Sequence, residues 1–240
     1  YKATREVMPE DLQKAIPWIR RIIGAYRIPI LEMPGFEADD VIGTLAKKAE
    51  RMGYQVFMMT PDKDFCQLVT DRILLYRPKY GNNGYEILGP ANVQKKYGLK
   101  STAQVIEMLG LMGDSSDNIP GCPGVGEKTA IKLLDEFGDI DTLLAYTDKV
   151  KGALREKIEN NREMILLSRT LATIKTDVPV ELNMESLKLV APDEAELTAL
   201  FESLEFRTLL SRFRSKTISQ IGGPAKKEAD QTKILGGGVI

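Results

Sequence analysis

The stretch Tyr54-Gln55-Val56-Phe57-Met58-Met59-Thr60-Pro61-Asp62-Lys63-Asp64 decides the fold. Residues 54–59 are apolar, aromatic and β-branched, and read as a buried strand. The run stops on Thr60-Pro61, and Asp62 and Asp64 stand at the strand's carboxyl end. A short helix is expected at 63–69 and a strand at 72–76. Upstream, the apolar run 28–31, closed by Met33-Pro34-Gly35, reads as a strand and turn. Residues 37–52 have helical spacing, with Val41, Ile42, Leu45, Ala46 and Ala49 on one side. Strand, helix, strand, helix, strand at this spacing predicts an α/β fold with a parallel sheet. Ligands of such sheets bind beyond the carboxyl ends of the strands, where these acids lie.

Outward from this core, residues 9–26 read as a helix with a kink or restart at Pro17. Gly81-Asn82-Asn83-Gly84 reads as a hairpin turn carrying a strand at 85–88. From Pro90 onward the pattern is of short helices separated by Gly or Pro, at 91–97, 102–112, 127–137, 154–172 and 194–204. The expected organisation is an α/β core over 1–90 and an all-helical subdomain over 91–214. A polar, Gly-rich linker is expected over 215–240. No internal repeat is visible.

Composition narrows the chemistry. The 240 residues include no histidine, which excludes a Ser-His-Asp triad, a Cys-His pair and an imidazole base. Cys66 and Cys122 are too few for a thiolate metal site or a disulfide framework, so a reducing cytoplasm is expected. No apolar run approaches the roughly 18 residues of a membrane span. Residues 1–12 are charged and start on Tyr1, which reads as the interior of a longer chain. Hydrolytic chemistry here would fall to carboxylates and hard metal ions.

Three acidic clusters offer such a site. Glu37-Ala38-Asp39-Asp40 opens a helix, Thr60-Pro61-Asp62-Lys63-Asp64 ends a strand, and Gly113-Asp114-Ser115-Ser116-Asp117-Asn118 leaves a helix. Each alone is readable as helix capping or as a polar loop. If they converge, seven carboxylates meet without histidine, a donor set suited to Mg²⁺ or Mn²⁺ and to two-metal phosphodiester hydrolysis. Downstream, Gly124-Val125-Gly126-Glu127-Lys128-Thr129-Ala130 sets a tight Gly-x-Gly hairpin before a helix. It is either an ordinary glycine turn or a backbone clamp on a phosphate, and it lacks Walker spacing.

Together with Gly35-Phe36 and Ile119-Pro120-Gly121, these motifs resemble the 5′-nuclease domain of bacterial DNA polymerase I, the 5′→3′ exonuclease and flap-endonuclease family. The resemblance rests on four motifs in order and spans about residues 1–214. It implies a PIN-like α/β core followed by a helix-three-turn-helix DNA-binding region. It implies metal-dependent, structure-specific cleavage of DNA in replication and repair, on 5′-flap or nicked duplex substrates. Glu37, Asp39, Asp40, Asp62, Asp64, Asp114 and Asp117 would hold two Mg²⁺ or Mn²⁺ ions, some through water. Lys2 and Arg5, at the foot of the family's helical arch, would steer the scissile phosphate. Gly124, Val125 and Gly126, with Lys128 and Thr129, would grip the duplex backbone with a K⁺ ion at the hairpin. The protein would be a cytoplasmic monomer, covalently linked in its parent to polymerase domains. Family members start with a strand carrying a metal-binding Asp, so a chain starting at the arch foot is expected to lack that strand.

The formal charge of −1 then has a local meaning. Removing the seven site acids from 34 leaves 27 against 33 basic residues, and adding two divalent ions to the whole chain turns −1 into +3. Either way the remaining surface is mildly basic, with Lys128 and Lys132 as expected backbone contacts. Two other readings stand beside the nuclease. One is a non-catalytic DNA-binding fragment with an incomplete metal site; the other is an acidic metal-binding domain unrelated to DNA, which the hairpin disfavours.

Overall fold

The computed structural model describes residues 7–79 and 84–221, with side chains as far as Arg214. Contacts divide the chain into two units, one built on Leu31–Ser186, the other on Pro9–Ile30 and the chain from Leu187 onward.

The second unit is helical. Its first helix, α1 (Glu10–Ala25), runs unbroken through Pro17, contrary to the expected kink or restart. Proline removes one donor from the ladder, and here the remaining ladder carries the helix across. The run 28–31 is not a strand. Ile28, Ile30 and Leu31 are 40–49% exposed, and no described strand pairs with them. An apolar run of four shows local preference only; a strand also needs a partner for its main chain.

In the first unit, α2 (Ala38–Arg51) carries Asp39 and Asp40 in its first turn and Lys48 and Arg51 in its last, matching both ends of the helix dipole. It buries Val41, Gly43, Thr44 and Ala46, while Ile42 stays exposed. Strand β1 (Val56–Met59) pairs in parallel with β2 (Ile73–Pro78), Val56 opposite Ile73. The connection between them holds a 3₁₀ turn at Asp64–Leu68. β2 pairs antiparallel with β3 (Tyr85–Leu88), where Tyr76 and Tyr85 stack at 4.6 Å. The sheet is therefore mixed, and of the expected hairpin turn residues 81–83 lie outside the described chain.

The helices follow: α3 (Pro90–Tyr97), α4 (Gln104–Met112), α5 (Glu127–Phe137), α6 (Ile140–Ala145), α7 (Ala153–Asn160) and α8 (Arg162–Ala172). The single helix expected over 154–172 breaks at Asn161 into α7 and α8. Helix α6 was not anticipated; its signal is Asp139, whose carboxylate accepts from the Thr142 N–H at 2.7 Å. Helices α4 and α8 pack so closely that a Cβ on Gly110 would lie 2.9 Å from Arg169 Cβ and Ile140 Cδ1. Leu109, Leu111, Leu134, Ile140, Ile158 and Ile165 form the core around this crossing.

Beyond α8 the chain is tied back to α2 and to the 3₁₀ turn. Gln67 donates to Ala172 O at 2.9 Å and accepts from Ile174 N–H at 2.9 Å. Asp40 Oδ1 accepts from Lys175 N–H at 2.9 Å, Thr44 Oγ1 from Val178 N–H at 3.1 Å, and Lys48 Nζ donates to Val180 O at 2.6 Å. The second unit closes with α9 (Glu194–Ser203) and α10 (Arg207–Ile221); Leu197, Leu200 and Phe201 of α9 cluster with Ala25 of α1, and Leu210 and Phe213 of α10 pack against them. Helix α10 continues to Ile221, past residue 215 where a linker was expected. The rest of that linker lies outside the described residues.

Candidate metal centre and hairpin

The three acidic clusters converge on two clefts that share two residues. Asp62, Lys63, Asp64, Asp114, Ser116 and Asp117 line a cleft of about 380 Å³. Glu37, Asp39, Asp40, Asp64 and Asp117 line the other, of about 230 Å³, whose far wall is the segment 170–175. Asp64 and Asp117 are common to both.

Local chemistry places each acid. Glu37 precedes α2 in extended conformation, and its carbonyl accepts the Val41 N–H at 3.2 Å. Thr60 Oγ1 takes the Asp62 N–H at 3.1 Å, and Asp62 Oδ1 takes the Asp64 N–H at 2.9 Å, an Asx turn that leads into the 3₁₀ turn. Lys63 holds the N-cap position and no side chain caps the turn, so Asp62 is not the cap expected of it. Asp114 follows α4, bridges Ile119 through paired main-chain hydrogen bonds, and accepts the Ser116 N–H on Oδ1 at 2.9 Å. Its Oδ2 lies 2.7 Å from Lys63 Nζ.

Asp64 is the unusual member. It is 9% exposed, and its Oδ1 is buried without a hydrogen-bond partner. Burial, then the charges of Asp62 and Asp114, push its pKa up to about 7, against the opposing pull of Lys63. Burial would also raise Asp114, but the bonds from Lys63 and Ser116 outweigh it and hold that carboxyl below its ordinary value. Lys63 answers in kind: burial would lower it, yet its bond to Asp114 and the surrounding carboxylates raise it.

An all-carboxylate donor set with an orphaned buried oxygen fits a hard divalent ion. Among the described residues, no three Cys, Asp or Glu side chains gather tightly enough to hold one ion by themselves. Ligation would therefore draw on water alongside the carboxylates. Lys2 and Arg5 lie outside the described residues.

The hairpin is held from below. Val125 is buried at 4% exposure and anchors the turn, and Gly126 starts α5, its carbonyl accepting from Thr129 and Ala130. Lys128 is exposed and Thr129 is half-buried. Gly124 has φ +79°, and a Cβ there would lie 2.7 Å from Lys157 Nζ. Sequence reasoning missed Lys157, because tertiary packing of α7 brings it to the hairpin. It also missed the ion pair of Lys63, whose only local signal is its position between Asp62 and Asp64. Both cysteines are free and buried. No helix among the described residues is long and apolar enough to cross a membrane.

Known proteins show the same organisation. A family described as "5'-3' exonuclease, N-terminal resolvase-like domain" matches residues 1–98, and "5'-3' exonuclease, C-terminal SAM fold" matches 100–195. DNA polymerase I of Bacillus subtilis is 46% identical over 98% of this chain and 26% of its own length. The thermostable DNA polymerase I of Thermus aquaticus is 43% identical over 89% of this chain and 25% of its own length. The chain thus spans about a quarter of these relatives. Among solved structures, the T5 D15 protein co-crystallised with metal ions superposes with TM-score 0.59 at 18% identity, covering 85% of this chain and 75% of its own. The catalytic core of Rad2 in complex with DNA substrate gives 0.57 at 18%, covering 82% and 64%. At such identity the likeness speaks to the fold, a PIN-like α/β core with a helical region. With both of its halves matched in order, the chain belongs to the 5′-3′ exonuclease family.

Proposed function

We propose that this chain is the 5′→3′ exonuclease and flap-endonuclease portion of a cytoplasmic DNA polymerase I, hydrolysing DNA phosphodiesters with divalent metal ions. The observation that carries this reading is Asp64, a buried carboxylate with an orphaned oxygen that joins both acid-lined clefts. The relatives that match along nearly the whole chain are DNA polymerases I, and T5 and Rad2 structures of the same fold hold metal ions or DNA.

In this reading Asp62, Asp64, Asp114 and Asp117 hold Mg²⁺ or Mn²⁺ in the larger cleft, and Glu37, Asp39 and Asp40 serve the second. Bound there, the ions supply a nucleophile at neutral pH and charge stabilisation at the leaving oxygen. The chain's own residues do the rest. Asp40 ties α2 to Lys175 and so fixes the wall of the smaller cleft. Lys2 and Arg5 steer the scissile phosphate. Gly124, Val125, Gly126, Lys128 and Thr129 grip the duplex backbone, with K⁺ at the hairpin. The core over 1–90 would cut and the helical part over 91–214 would hold the duplex. The chain beyond 215 would lead toward polymerase domains.

The hairpin carries its own test. Gly126 has φ −98° and ψ 179°, open to any residue, and a Cβ there meets nothing within 4 Å. The fold does not need glycine at 126; a close-approaching phosphate backbone does. Gly126→Val should cost at most about 1 kcal/mol of stability, from the preference of a helix N-cap for glycine over valine, and weaken duplex binding about tenfold, read by fluorescence anisotropy at fixed salt and at a temperature where both proteins are folded. Equal binding by the variant would remove the hairpin from the interface.

The whole reading is tested with a labelled 5′-flap duplex and the chain as given. Turnover with Mg²⁺, and binding without turnover in Ca²⁺, are expected. A second reading, a DNA-binding fragment without catalysis, is favoured by the lack of any tight three-acid group among the described residues. Binding in Ca²⁺ with no product in Mg²⁺ selects it, and absence of flap binding overturns both.

A further inference from the structure

Every other charged group in the larger cleft is an acid, and one cation stands among them. Lys63 sits between Asp62 and Asp64 in sequence, and its ammonium lies 2.7 Å from Asp114 Oδ2. Asp114 is thereby fully engaged, since Ser116 N–H occupies Oδ1. A short distance away Asp64 Oδ1 has no partner, although the same ammonium acts on its charge. The Asp114 side chain is 6% exposed and that of Lys63 is 38% exposed. One partner is fixed in the wall, while the other rests on a flexible four-carbon stem that reaches water.

We propose that Lys63 is a built-in counter-ion of the cleft, which competes with divalent metal for Asp114 and swings out to solvent when the metal enters. This rests on the metal reading above and adds a positioning role to a residue outside the ligand set. Two cations cannot share Asp114 Oδ2 cheaply in a half-buried site, where like-charge repulsion is poorly screened. The smaller charge, on the movable stem, is the one that yields. The ammonium neutralises the acid cluster when divalent ions are scarce, at the cost of weaker metal binding. A neutral side chain at 63 removes the competitor, whereas arginine preserves it.

The test uses the chain as given, without DNA, and follows free Mn²⁺ by electron paramagnetic resonance at pH 7.5. Lys63→Met should lower half-saturating Mn²⁺ about tenfold, and Lys63→Arg should stay within about twofold of the parent. A second measurement needs no variant: acylation of Lys63 by an amine-reactive reagent, read by mass spectrometry, should accelerate when Mn²⁺ is added. Equal or weaker Mn²⁺ affinity in Lys63→Met, or acylation indifferent to Mn²⁺, overturns the proposal and leaves the metal site standing. Failure of the parent chain to take up Mn²⁺ overturns both.

Discussion

Asp64→Asn is expected to reduce Mg²⁺-dependent flap cleavage on the order of 10³-fold while making the metal-free protein more stable. Both effects come from the same burial. The carboxyl has little water and three acidic neighbours, so the folded protein prefers it protonated up to about pH 7, against an ordinary value of 3.8. Between those two values the folded state binds the extra proton, so stability falls as pH rises through this window. Asparagine carries no charge, and in the absence of metal it should gain about 2 kcal/mol at pH 8, a value discounted for relaxation of the site. That gain should vanish near pH 4, where Asp64 is neutral as well. Metal reverses the balance. If 10 mM Mg²⁺ stands about 100-fold above its dissociation constant, the parent gains about 2.7 kcal/mol, or roughly 5–10 °C in Tm. The variant should show less than about 2 °C of that shift. Thermal unfolding across pH, with and without Mg²⁺, checks every part. A variant less stable than the parent at pH 8 without metal, or fully stabilised by Mg²⁺, contradicts the assignment of Asp64.

Much of this centre was legible in the sequence, for a physical reason. Asp62 and Asp64 end a strand and Asp39 and Asp40 begin a helix, and short-range rules locate such positions well. Helices α2 to α5 and strands β1 to β3 announce themselves in the same way, by periodicity and by Gly or Pro at their ends. But β1 is not the buried strand expected over 54–59: it buries Met58 and leaves Phe57 and Met59 exposed. What stayed hidden depends on distant partners. Residues 28–31 have a strand's composition but no described strand beside them. The ties from Asp40, Thr44, Lys48 and Gln67 to residues 172–180 span more than 100 positions, and no local pattern foretells them. That Asp64 and Asp117 belong to both clefts, or that Lys63 pairs with Asp114, emerges only once the chain has folded.

The loop carrying Asp114 and Asp117 shows how the fold holds the third cluster, and it supports a second large effect. Gly113 (φ +74°) and Gly121 (φ +61°) stand at its two ends, in a region that side chains other than glycine rarely adopt. Between them Asp114 and Ile119 pair, Cys122 N–H reaches Leu111 O at 2.7 Å, and Gly121 N–H reaches the buried Ser168 Oγ at 2.9 Å. The two glycines press backbone on backbone. A Cβ on Gly121 would overlap the Gly113 amide nitrogen and lie 2.5 Å from Met112 C, and one on Gly113 would lie 2.5 Å from Ile119 O. No flexible side chain is available to move aside, so the loop itself must shift. Gly121→Ala should therefore cost about 3–5 kcal/mol, combining strain at positive φ with displaced main chain, and lower Tm by roughly 10 °C or more. Because Asp114 and Asp117 travel with that loop, the folded fraction should also need at least about tenfold more Mg²⁺ for half-maximal cleavage. Thermal unfolding and a Mg²⁺ titration of flap cleavage at a temperature where the variant is folded separate the two effects. A variant with parental Tm would show that the loop yields easily. Lost stability with an unchanged Mg²⁺ requirement would show that these glycines hold the fold but do not set the positions of the acids.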